Sequence, residues 1–247
     1  MIESDFDNLK FIHPSTIQVS GPTGCGKTRF VLNLLNERMI EPFPERLIWV
    51  YSEWQPDYDT LKENFKDMEF VRGFNEDLYD SILPKERNLL VLDDQMSEAS
   101  DSKTLARLFT KGSHHRNLTV IYLVQNLYDQ GKSSRTVSLN THYIVIFKNK
   151  RDGSQFRKLA QQLKPNNSGW LIAAFENATK ERYGYLVIDN HPRARECLRF
   201  RTNIFNGECP AFYADYNDRE TVSDLNSISS KHNLDEVPDY KRAKTDD

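Results

Sequence analysis

Residues Gly21-Pro22-Thr23-Gly24-Cys25-Gly26-Lys27-Thr28 carry the densest chemistry in the chain. They satisfy G-x-x-x-x-G-K-[ST], a spacing in which each residue type has a task. Gly21, Gly24 and Gly26 let the backbone curl so that successive N–H groups point at a polyanion. The helix behind the loop adds the positive end of its dipole at the same spot. Lys27 would reach β- and γ-phosphates, and the Thr28 hydroxyl would ligate Mg²⁺. The bland alternative is a glycine-rich turn with no ligand. Context argues against it: "STIQVS" before the loop is β-branched and alternating, and Phe30, Val31, Leu34 and Leu35 after it fall at helical spacing. Strand, glycine loop and helix together define a nucleotide site.

Binding a phosphate is not hydrolysing one, and "LLVLDDQM" supplies the acids. The apolar run Leu89 to Leu92 would carry Asp93 to the carboxyl edge of a sheet, where it could hold the Mg²⁺ shell. Asp94, next in line, would polarise the attacking water. At the end of "LTVIYLVQN", Gln125 follows another apolar run and could touch the γ-phosphate or that water. Arg116, in "KGSHHRNLT", is a candidate to neutralise charge on a neighbouring subunit's γ-phosphate, or else a plain surface arginine. His114 and His115 are adjacent and cannot readily share one ion, so a metal reading of that cluster is rejected.

One motif points elsewhere. Asn149-Lys150-x-Asp152 has the form of a guanine-specificity element after a strand. A GTPase should also show D-x-x-G at the Mg²⁺ aspartate, but Asp93 is followed by Asp94-Gln95-Met96. ATP is therefore expected over GTP.

The elements that must position these residues alternate. Strands are expected at "RLIWVYSEW", "MEFVRGF", "NLLVLDDQM", "NLTVIYLVQN", "HYIVIFKN", "YGYLVIDN" and "ECLRFRTNIF". Helices are expected around Asp57 to Phe65, "NEDLYDSIL", "TLARLFTKG", Gln155 to Leu163 and Trp170 to Lys180. The alternation argues an α/β fold, a mainly parallel sheet with helices on both faces. The expected organisation is an N-terminal extension over 1–14, an ATPase domain over 15–212 and a polar tail over 213–247. That tail lacks the apolar area to offset its ordering entropy and reads as disordered.

Composition narrows the class. The chain has 247 residues and a formal charge of −3, which excludes a globally basic nucleic-acid coat but not a local basic channel. No stretch approaches the ~18 apolar residues of a membrane helix. The first residues, "MIESDFDNLK", lack a signal-peptide core. Cys25, Cys197 and Cys209 read as reduced thiols rather than a disulfide framework. An intracellular site, nuclear or cytoplasmic, is expected, not secretion.

Several stretches in order, "GPTGCGKTRF", "WVYSEWQPDYD", "LLVLDDQM", "LFTKGSHHRNLTVIYLVQN", "SRTVSLNTHYIVIFKNKRD" and "YGYLVIDN", resemble the genome-packaging ATPases of Polinton/Maverick elements (adintovirus-like). These are relatives of poxvirus and adenovirus-lineage packaging ATPases within the FtsK–HerA superfamily. The resemblance covers about Ser15 to Phe205. It implies an ASCE/RecA-like P-loop NTPase sheet, a homo-oligomeric ring, ATP and Mg²⁺ as cofactors, and movement of double-stranded DNA into a capsid, with a capsid or portal-vertex protein as partner. By position, Lys27 and Thr28 take the Walker A roles, Asp93 and Asp94 the Walker B roles, Gln125 the sensor role and Arg116 the finger role. Lys150 departs from the family, which has proline there. An acidic chain can still thread DNA if Lys103, Arg107, Lys111, Lys132 and Arg135 line a pore at the nucleotide end of the sheet, through salt-sensitive phosphate contacts.

Two other classes compete: a P-loop switch protein without a motor, and a small-metabolite kinase with a lid built on Arg193, Arg195, Arg199 and Arg201. The Asp93–Asp94 pair with Gln125 favours hydrolysis over slow switching.

Overall fold

A computed structural model describes residues 9–74, 76–93, 103–128, 134–205 and 211–212. The chain divides into two compact units, one running Lys10–Val145 and a second from Ile146 onward that also takes in Leu9.

The first unit is built on strands β2 (Thr16–Ser20), β4 (Arg46–Tyr51), β5 (Glu69–Arg72), β6 (Asn88–Asp93), β7 (Leu118–Val124) and β8 (Tyr143–Phe147), whose last two residues belong to the second unit. They are ordered β8-β2-β7-β6-β4-β5. From β2 to β5 every neighbouring pair is parallel. One strand, β7, thus stands between β2, which leads into the glycine loop, and β6, which ends at Asp93.

Parallel strands need crossover connections, and helices supply them here. They are α1 (Lys27–Asn36), α2 (Asp57–Asn64), α3 (Glu76–Ser81), α4 (Lys103–Arg107), α5 (Ser113–His115) and α6 (Ser134–Leu139). Between α4 and α5 the turn Leu108–Gly112 is π-helical, with the Ser113 N–H reaching the Leu108 carbonyl.

Helices on both faces explain why the strands read as continuous apolar runs rather than alternating ones. Ile48, Val50, Leu90, Leu92, Val120 and Tyr122 point one way and pack with Leu78 and Tyr79 of α3, Leu105 of α4 and Val137 of α6. The intervening Trp49, Leu89, Val91 and Ile121 are equally buried on the other face. There the Trp49 ring meets Tyr58 of α2 at 5.3 Å. Burying each such side chain contributes about 1.5–3 kcal/mol, so register is strongly held and the strand ends are fixed points.

The segment grouped with the extension on sequence is built into this unit. Strand β1 (Phe11–Ile12) pairs in parallel with β3 (Ile40–Glu41), and Phe11 is fully buried against Tyr143. Short paired strands of two residues carry no periodicity, which is why the pattern of the sequence misses them. Helix α6, "SRTVSL", gives no apolar stripe either, since Val137 is buried while Leu139 is exposed.

In the second unit, α7 (Ser154–Leu163) packs on α8 (Ser168–Ala178), with the Phe156 and Phe175 rings stacked at 3.9 Å. Strand β9 (Tyr185–Asp189) pairs antiparallel with β10 (Phe200–Arg201), and β10 with β11 (Ala211–Phe212). The expected strand "ECLRFRTNIF" is thereby corrected. Glu196–Leu198 forms a single 3₁₀ turn and only Phe200–Arg201 is extended, because the chain must reverse after β9. Gly184 before β9 is required by space: a Cβ there would lie 2.5 Å from the Ala178 carbonyl oxygen. The tail over 213–247 lies outside the described residues.

Candidate functional site

Everything at the candidate site that the structure describes lies in the first unit, at the carboxyl edge of its parallel strands. The loop leaves β2 at Ser20, and the Gly21 N–H donates to the Val124 carbonyl at 3.1 Å, tying the loop to the end of β7. Two residues then take left-handed backbone, Gly24 (φ +75°) and Gly26 (φ +105°). At Gly24 a Cβ would meet nothing within 4 Å, so the dihedral rather than crowding demands glycine, and the loop faces open space. Helix α1 starts at Lys27 with no acidic residue in its first turn and no side-chain cap. Its N-terminal positive charge is left uncompensated by its own side chains, as an anion site requires.

Lys27 folds back over this loop. Its Nζ donates to the Gly21 carbonyl at 2.7 Å and to the Pro22 carbonyl at 3.2 Å, which holds the ammonium at the loop. Cys25 is half-buried, and burial pushes its thiol up from the ordinary value, outweighing the opposing pull of Lys27. It stays a thiol near neutral pH.

The loop and the acid strand meet at one corner. Thr28 Oγ1 donates to Asp93 Oδ2 at 3.3 Å, and the same oxygen accepts from the Tyr58 hydroxyl at 2.8 Å. Asp93 is 3% exposed. A threonine hydroxyl beside a carboxylate is an all-oxygen donor pair, the chemistry Mg²⁺ prefers, so these residues fit the metal that the motif implies. Elsewhere among the described residues no group of three His, Cys, Asp or Glu side chains could hold an ion. Tyr58 was not foreseen as a site residue. Its only signal was an aromatic in "WQPDYD", and the side chain reaches Asp93 across 35 residues of sequence.

The remaining sequence candidates divide. Gln125 follows Val124, which pairs with Ser20, so it stands at the base of the loop and is exposed. Asp94 and Lys132 lie outside the described residues, and for Lys103 only the backbone at the start of α4 is described. Arg116 precedes β7 and so lies at the opposite, amino edge of the sheet. Its guanidinium donates to the Ile82 carbonyl at 2.8 Å and the Asp80 carbonyl at 3.4 Å, pairs with the Asp80 carboxylate at 3.3 Å, and lies 4.2 Å from the Tyr79 ring centroid. The structure does not bring it to the phosphate loop of its own chain.

Of the pore candidates, Arg107, Lys111 and Arg135 have described side chains. A helix must return the chain to the start of β7, so Lys111 lies about 12 Å along it from Lys103, toward the amino edge. Arg107 is exposed and lies 4.6 Å from the Tyr79 ring centroid, while Lys111 and Arg135 are exposed.

In the second unit, the guanine-type motif has a structural occupation. Asp152 Oδ1 accepts from the Ser154 N–H at 2.9 Å and its hydroxyl at 2.5 Å, and Oδ2 accepts from Gln155 Nε2 at 2.8 Å. These bonds lower the pKa of the carboxylate and tie it to the first two residues of α7. Two of the four lid-candidate arginines are likewise engaged within their unit. Arg201, fully buried, pairs with Asp189 at 3.1 Å and donates to the Leu9 carbonyl, and Arg199 donates to Asn190 and pairs with Glu196.

This sheet order, with the loop on β2 and the aspartate on β6, defines the class: the fold is that of a P-loop NTPase. No family model and no curated protein matches the chain. Among solved structures it is similar to the genome packaging NTPase B204 of Sulfolobus turreted icosahedral virus 2 in complex with AMPPCP. The identity is 14%, over 72% of this chain and 93% of that one, with a TM-score of 0.50. It is also similar to B204, the DNA-packaging ATPase from Sulfolobus turreted icosahedral virus (14%, 72% and 93%, TM-score 0.49). A KaiC-like protein from Pyrococcus horikoshii aligns at 13% identity over 80% and 89% (TM-score 0.47). At such identities the likeness to the AMPPCP complex speaks for the fold alone. No described helix is long and apolar enough to cross a membrane.

Proposed function

We propose that the chain is an ATP-hydrolysing motor that moves double-stranded DNA into a capsid, working as a homo-oligomeric ring inside a host cell. The observation that carries the hydrolytic half is the Thr28–Asp93 corner beside Lys27, since a phosphate loop alone would bind without turning over. Lys27 would exchange its two carbonyl partners for the β- and γ-phosphates, and the bare amino end of α1 would take the remaining charge. Mg²⁺ held by Thr28 and Asp93 would offset charge on the phosphates during transfer. Asp94 is the proposed base for the attacking water and Gln125 the group that senses the γ-phosphate.

The packaging half rests on the ordered motif resemblance to Polinton-type packaging ATPases and on the fold shared with the viral packaging NTPase B204. DNA would be gripped through phosphates by exposed cations, with Arg107, Lys111 and Arg135 the described candidates. Arg116 enters as a finger for a neighbouring subunit. To act there its guanidinium must leave the Asp80 and Ile82 carbonyls, a cost that a charged neighbour's phosphate would have to offset.

The test is the ATP hydrolysis rate of purified protein with and without duplex DNA, alongside particle mass by light scattering. Stimulation by DNA of any sequence in an oligomer supports the motor. A monomer with a slow, DNA-indifferent rate would make it a nucleotide switch instead.

A further inference from the structure

We infer that Tyr58 is a positioning residue, holding the Asp93 carboxylate in the orientation the metal corner requires. The inference rests on the nucleotide reading of the site and deepens it. Asp93 is nearly sealed from water, and a buried carboxylate needs donors that the protein itself supplies. Tyr58 and Thr28 both donate to Oδ2, at 2.8 and 3.3 Å. Thr28 is also the second oxygen of the metal corner, so if it turned to a cation the Tyr58 bond would still hold the carboxylate plane in place.

The hydroxyl is aimed by packing on several sides. Tyr58 is fully buried, and its ring lies 5.3 Å from Trp49, 5.8 Å from Tyr51, 5.5 Å from Trp54 and 6.2 Å from Phe70. Three of these rings stand on β4 and β5, whose register against β6 pairs Tyr51 with Asp93. Trp54 is itself anchored, its Nε1 donating to Asp59 at 3.2 Å. Four aromatic rings around Tyr58 thus fix its oxygen over the last residue of β6. Packing alone would be served equally by phenylalanine, so the hydroxyl is what the site adds. Partners of metal-holding groups commonly set affinity or activity by 10- to 100-fold.

The experiment compares the full chain with Y58F, which deletes only the hydroxyl. Mn²⁺ is titrated into each protein with AMPPCP present and free ion followed by electron paramagnetic resonance. Mg²⁺ dependence of ATP hydrolysis is measured in parallel. Y58F should need about tenfold more metal for half-saturation in both assays, while binding AMPPCP without metal as the parent does. Equal half-saturation in the two proteins overturns the inference and leaves the nucleotide reading standing. Equal weakening of AMPPCP with and without metal overturns it too, because the hydroxyl would then support the loop, and so does loss of a cooperative melt in Y58F. A parent protein that binds no AMPPCP removes the nucleotide reading itself.

Discussion

Thr28 Oγ1 and Asp93 Oδ2 lie 3.3 Å apart across 65 residues of sequence. One residue stands in the first turn of the helix after β2 and the other closes β6, with β7 between their strands. The contact joins the phosphate loop to the acid strand, and it is the corner from which the expected behaviour of the variants follows.

Lys27→Ala should abolish hydrolysis and weaken nucleotide binding, with a rate loss of at least about 10²–10³-fold, as for removal of one transition-state donor. Steady-state phosphate release and binding of a fluorescent ATP analogue measure it. Unchanged turnover would falsify the loop assignment.

Asp94→Asn should retain ATP yet stop hydrolysis, since an amide cannot accept the water's proton. Normal turnover in this variant would mean that another residue is the base.

The carboxylate of Asp152 is committed to Ser154 and Gln155. Asp152→Asn should therefore leave the preference for ATP over GTP unchanged. Competitive binding of the two nucleotides decides this, and selective GTP binding lost in the variant would revive the GTPase reading.

His13 gives the protein an acid sensitivity. Its Nε2 bonds Asn117 Oδ1 at 3.0 Å and its Nδ1 meets Thr119 Oγ1 at 2.7 Å, a set that suits the neutral ring. Burial lowers its pKa from 6.5. The unfolded chain then takes up the proton first, so this contribution is complete above about pH 6.5 and is lost as pH falls from there toward the folded value. Melting temperatures should drop between pH 7 and 5, and His13→Gln should flatten that slope. A slope equal to the parent's would remove His13 as its source.

Arg116→Ala should lower the melting temperature, because the Asp80 and Ile82 carbonyls lose a charged donor worth about 1.5–3 kcal/mol. If Arg116 also completes a neighbour's site, hydrolysis should fall by about 10³–10⁵ with nucleotide binding intact. Mixing Arg116→Ala with Lys27→Ala subunits should then restore part of the activity. Mixed rings that stay inactive would leave Arg116 only its contacts with α3.

The glycines, Lys27, Thr28 and the apolar strand leading to Asp93 were legible in the sequence because their reasons are local. Left-handed turns need glycine, a strand buried on both faces needs an unbroken apolar run, and a helix needs its stripe. Those rules also placed the alternation of strands and helices, and with it the α/β class. Tertiary structure decided what depends on which strands are neighbours. The insertion of β7 between β2 and β6 and the meeting of Tyr58 with Asp93 both follow from strand order. Periodicity says which face of a strand is buried but not which strand lies beside it, because that choice is made by packing among residues far apart in the chain.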